Sequence, residues 1–234
     1  MARRPLLLAA IAAAVAFLAG CASGPGTAPS TPAPSASSEV GAAWLDGGSM
    51  VGIVTWGSSS CVPTAGDVAY SGGVLTVELV GPPAGTACTM DYGPRATPVS
   101  VPAGIDASKD VRVVVTGDVT GEAVLAGVSS MPPGGSAAEG TPSAGWTGIE
   151  GTLVLLTWGS SSCPPQIADA AATAPGRITV TEAALPADRA CTADLAPRAT
   201  VVQVPAVSSG QSYTLTLVPP TGPSTDTPVA GLAP

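Results

Sequence analysis

The chain has 234 residues, with eight Lys and Arg against sixteen Asp and Glu and no His, for a formal net charge of −8. That balance excludes the clustered basic surface a nucleic-acid partner requires. The missing His removes the usual general base and the commonest metal ligand together. With 3% aromatic residues, any core must rest on Val, Leu, Ile and Ala.

In chain order, Arg3 and Arg4 precede the apolar run "PLLLAAIAAAVAFLAG", which ends in small residues. The run is shorter than the roughly 20 residues that span a bilayer, so residues 1–20 read as a cleaved signal peptide rather than an anchor. Its end, Leu18-Ala19-Gly20-Cys21, resembles the lipobox of bacterial lipoproteins. The resemblance implies that Cys21 becomes a lipidated N-terminus carrying palmitate-type acyl chains. It also implies a protein held on the extracytoplasmic face of the cell membrane by that lipid. The Ala, Gly and Pro usage, with Arg over Lys, fits a GC-rich Gram-positive source. Loss of Arg3 and Arg4 with the leader would make the net charge −10.

Residues 21–43 are Pro-, Ser- and Ala-rich and nearly chargeless, which predicts a disordered tether. Residues 44–128 and 146–234 read as two copies of one domain, joined by a linker of similar composition over 129–145. Trp44 matches Trp146, Trp56 matches Trp158, and "TWGSSSC" recurs unchanged at Thr55–Cys61 and Thr157–Cys163. Farther on, "CTMDYGPRATPVSVPA" and "CTADLAPRATVVQVPA" agree at eleven of sixteen positions, too many for chance. A period of about a hundred residues is domain-sized, too long for a solenoid repeat.

Within each copy the apolar runs Met50–Trp56 and Thr152–Trp158 suit buried strands, while Val74–Val80 and Arg177–Ala183 alternate in the manner of half-buried ones. Further strands are expected at Ala96–Pro102 and Ala199–Pro205, and at Val111–Gly117 and Ser212–Val218. Ala-rich Gln166–Ala174 is expected to form a helical turn or two, and the last fifteen or so residues a loose end. Several short strands with frequent turn signals predict an all-β fold of two tandem small β-sandwich or barrel domains.

Five Cys is an odd number; assigning Cys21 to lipid leaves Cys61, Cys88, Cys163 and Cys191 as an even set. Export to an oxidising space makes two disulfides the expectation. Pairing within each copy, Cys61 with Cys88 and Cys163 with Cys191, follows from the duplication, since a single ancestral domain had only those two Cys to join.

The candidate site is the repeated loop and its surroundings. Ser58–Ser60 offer hydroxyls, but a Ser nucleophile needs a base. The sole Lys, Lys109, has no counterpart in the second copy. A turn scaffold is favoured, with Ser59 and Ser161 as the solvent-facing binding alternative. Asp91 with Arg95, and Asp194 with Arg198, are expected to form salt bridges that pin the loop. The alternative is that Arg95 and Arg198 grip a ligand carboxylate or phosphate. Trp56 and Trp158 are expected to pack on the disulfides; Trp44 and Trp146 either close the core or form a sugar-binding platform. The Asp residues near Leu45–Gly48 and Asp106–Asp110 lack EF-hand spacing, and no phosphate loop occurs, so neither metal nor cofactor is expected. The resulting expectation is a non-enzymatic binding module for a cell-wall polymer or an exported protein. A cell-envelope hydrolase using Asp and Ser groups, or a purely structural surface protein, stands as the alternative.

Overall fold

A computed structural model describes residues 39–131 and 140–234. The signal peptide, Cys21, the tether as far as residue 38 and the middle of the expected linker lie outside the described residues. The described chain is all-β, with fourteen strands, one short 3-10 turn and no α-helix.

Seven strands build the first copy. β1 (Gly41–Leu45), β2 (Met50–Gly57) and β5 (Gly93–Ser100) form an antiparallel sheet in the order β1-β2-β5. β3 (Thr64–Ser71), β4 (Val74–Val80), β6 (Val111–Gly117) and β7 (Gly121–Leu125) form the second sheet in that order, with β4 and β6 parallel. Trp44, Val51, Ile53 and Val99 from one sheet meet Leu75, Val77, Leu79, Val113 and Val115 from the other, giving a β-sandwich. β4 shows how its alternation works: Leu75, Val77 and Leu79 are buried, while Thr76 and Glu78 are only half covered.

The second copy repeats the plan. β8 (Ser143–Trp146), β9 (Thr152–Gly159) and β12 (Ala196–Gln203) correspond to the first sheet. β10 (Ile167–Ala174), β11 (Arg177–Glu182), β13 (Thr214–Val218) and β14 (Thr225–Ala230) correspond to the second. β14 also pairs with β8 in parallel, at Val229 with Ala144 and Ala230 with Gly145, so here the two sheets join along one edge. In the first copy the comparable contact is one hydrogen bond, from the Trp44 indole N–H to the Ala126 carbonyl at 3.0 Å.

The two sandwiches stack through the outer faces of their three-stranded sheets. Ala43, Leu45, Met50, Val54 and Ala96 of the first copy share an apolar cluster with Val154 and Leu156 of the second. This explains why β2 and β9 read as continuous apolar runs although their sheets are antiparallel. Val51 and Ile53 point into one core while Met50 and Val54 point into the cluster between copies, so neither face meets water. Each strand at this junction meets its own counterpart, β1 with β8 and β5 with β12, the pattern of a local two-fold axis. Along β1 and β8, Ala42 N–H donates to the Thr147 carbonyl (3.1 Å) and Asp46 N–H to Ser143 Oγ (2.8 Å). The two strands are therefore antiparallel, and the C-terminal ends of β2 and β9, with their TWGSSSC loops, lie at opposite ends of the junction.

Three expectations need correction. Residues 167–174 form edge strand β10, not helix: its backbone pairs with β11, and Ile167 and Ala170 pack on the core, so tertiary pairing overrides the Ala preference. The C-terminus is not loose, because β14 closes the second sheet and Ala233 is buried, its amide donating to Gln211 at 3.0 Å. β1 and β8 begin inside the spans read as tether and linker. Their small residues serve a close crossing: an added Cβ on Gly145 would overlap the Trp44 carbonyl oxygen.

Candidate functional site

The repeated loop forms where β2 ends. Cys61 is buried and joined to exposed Cys88, and Cys163 is joined likewise to Cys191, with sequence separations of 27 and 28. Arg95, opposite Thr55 on β5, folds back over Gly57 and donates from Nη1 to the carbonyls of Cys61 (2.6 Å) and Ser58 (3.2 Å). Its Nε donates to Thr55 Oγ1 at 3.4 Å. A Cβ on Gly57 would lie 2.6 Å from Arg95 Cζ, so this Gly gives the guanidinium its place. In the second copy Arg198 donates to the Cys163 and Trp158 carbonyls at 2.9 and 3.1 Å.

The rest of the loop is tied by a second clamp. Ser59 N–H donates to both oxygens of Asp91, at 3.3 and 3.2 Å. Thr89 Oγ1 donates to the same carboxylate, and Thr89 N–H donates to Ser60 Oγ at 2.9 Å. Asp194 repeats this with Ser161 N–H and Thr192 Oγ1. These donors favour the charged carboxylate: Thr89 first and Ser59 next hold Asp91 below the ordinary value, and Thr192 with Ser161 hold Asp194 down to about 2. A carboxylate held that low is a weak base for a neighbouring hydroxyl.

The expected salt bridges are therefore absent. Ion pairs among the described residues are Lys109–Asp106, Arg112–Glu122 and Arg177–Asp226. The Asp91 and Asp194 carboxylates are taken by nearer amide and hydroxyl donors, while Arg95 and Arg198 turn to the carbonyls beneath the loop. Each charge still pins the loop, but separately. Burial lowers both guanidinium groups from their ordinary value, though Arg stays charged in proteins.

The Trp platform is also overturned. Trp44 and Trp146 are core residues, 3% and 6% exposed, and Trp146 meets Tyr213 edge-on at 5.7 Å. Trp56 and Trp158 are half-buried against the cluster between the copies. Ser59 and Ser161 are exposed, with their amides bound to Asp91 and Asp194. Among the described residues no group of three His, Cys, Asp or Glu is placed to hold a metal ion.

What the loops offer outward is apolar. Met90 and Tyr92 flank Asp91 at 104% and 79% exposure, and Leu195 takes the Tyr92 position in the second copy at 65%. The sequence carries a signal for them: they vary between copies whose flanking Cys, Thr, Asp, Pro and Arg do not. Residues held by the scaffold stay the same, and residues facing out are free to differ. In comparison with known proteins the chain matches no family model, no curated protein and no solved structure.

Proposed function

We propose that the chain is an extracytoplasmic lipoprotein, anchored to the cell membrane through Cys21, whose folded part acts as a binding module. The observation that carries the reading is the disulfide-locked loop with Met90 and Tyr92 on its outer side. Large side chains on a backbone already fixed by a disulfide, an Arg clamp and an Asp clamp lose little further freedom on binding. Exposed Tyr and Met are also the residue types enriched at interface anchors. That chemistry favours an exported protein over a wall polymer as partner. Loops at opposite ends of the junction, with different tips, suit two separate contacts.

The test is a pull-down with the Ala22–Pro234 chain against exported proteins and wall material. The reading expects capture of a protein that is lost with Met90→Ser plus Tyr92→Ser while the melting temperature holds. Capture unchanged by that pair, or confined to wall polymer, counts against it. For the anchor, Cys21→Ala is expected to release the protein from membranes; a variant that stays membrane-bound sinks that part.

A further inference from the structure

The two-fold relation between the copies breaks at one place. At the junction of β1 and β8, on the side of the turn Asp46–Ser49, lies a cavity of about 900 Å³, lined by residues that include Trp44, Asp46, Met131, Ser143, Tyr213 and Leu232. Both copies contribute walls, and domain junctions are favoured places for small-molecule sites. Among the described residues lining it there are two carboxylates, Asp46 and Asp226, and no Lys or Arg.

At the symmetry-related place the second copy carries Gly148 and Ile149 where the first has Asp46 and Gly47. The Ile149 side chain packs there against Gly41 and Thr147; a Cβ on Gly41 would lie 2.7 Å from Ile149 Cδ1. The second copy thus plugs its end of the junction with an apolar side chain, and the first leaves its end open beside an acid. Asp46 is buried at 9% exposure, and its Oδ2 accepts from Ser49 Oγ at 2.5 Å. Its Oδ1 has no partner. Its backbone is left-handed, φ +48°, where Gly148 has φ +80°. A buried unpaired carboxylate oxygen and a left-handed side-chain-bearing residue both cost stability. The turn at Gly148–Gly151 has the same length and avoids both.

We infer that this cavity binds a small organic cation, a primary ammonium group on an apolar body, with Asp46 as its counter-charge. The apolar body occupies the space that Ile149 fills at the other end, and the rings of Trp44 and Tyr213 add a surface that favours a cation. This site is separate from the disulfide loops and does not depend on their role.

The test is calorimetric titration of the purified full chain with hexylammonium chloride, using 1-hexanol as the uncharged match. Saturable binding of the ammonium at one site per chain is expected, at least about tenfold tighter than the alcohol, as a charge-assisted contact requires. Asp46→Gly, the residue the second copy tolerates at this turn, should keep the melting temperature at or above the parent's and weaken the ammonium about tenfold or more. Replacing Asp46–Ser49 by the Gly148–Gly151 sequence should abolish binding by closing the cavity. Equal affinity for the alcohol, unchanged affinity in Asp46→Gly, or no binding of hexylammonium at millimolar concentration overturns the inference.

Discussion

Gly57 and Arg95 occupy one corner of the first sandwich, and the guanidinium stands where a Gly57 side chain would be, 2.6 Å from a Cβ at that position. The same relation holds for Gly159 and Arg198. Gly57→Ala should displace Arg95 from the Cys61 and Ser58 carbonyls, leaving partly buried acceptors without a charged donor, at a cost of about 1–3 kcal/mol. In an Arg95→Ala background the same change should cost much less. A double-mutant cycle by urea denaturation reads the difference.

The disulfides should stabilise each copy separately. Closing a loop of this length is worth about 3–4 kcal/mol in the chain-entropy model, so Cys61→Ala with Cys88→Ala should lower unfolding free energy by that order. A non-reducing peptide map should return Cys61 with Cys88 and Cys163 with Cys191. Cross-copy pairs would contradict the fold.

Because the copies share an apolar cluster, they should not unfold as independent beads. Leu156 is fully buried between them, and Leu156→Ala should cost about 2–5 kcal/mol. Calorimetry of the parent should give one transition, with calorimetric and van't Hoff enthalpies equal. Two separated transitions would show that the cluster does not couple the copies.

The Asp clamp predicts a defined acid sensitivity. Asp194 is held down to about 2 from an ordinary 3.8. Its folded form binds a proton more weakly than its unfolded form, so its contribution is present above 3.8 and is lost as pH falls towards 2. Asp194→Asn should lie below the parent in melting temperature at pH 5 and converge with it near pH 2. A constant gap across that range would contradict the clamp.

The duplication, the all-β class and both disulfide pairings were legible because repeated letters and paired Cys report directly on shared architecture. β4 and β11 were legible because one face of each meets a core. β10 was not, since Ala carries no β signal and only its pairing with β11 makes it a strand. β1 and β8 looked like linker because their crossing excludes side chains, as Gly145 against Trp44 demonstrates. The Asp91–Arg95 spacing suggested an ion pair, but which donor reaches a carboxylate first depends on a loop path that spacing does not encode. Asp46 was hidden by its own turn: "DGG" reads as a hairpin signal, and its burial follows only from the second copy packing over it.

The most direct test of the binding reading is to place a photo-crosslinking benzoylphenylalanine at position 92, in place of Tyr92, in intact cells. The account predicts a covalent adduct with one exported protein, and no such adduct when the crosslinker replaces Val124, an exposed side chain on β7. Absence of any adduct at position 92, or the same adducts from both positions, would contradict it.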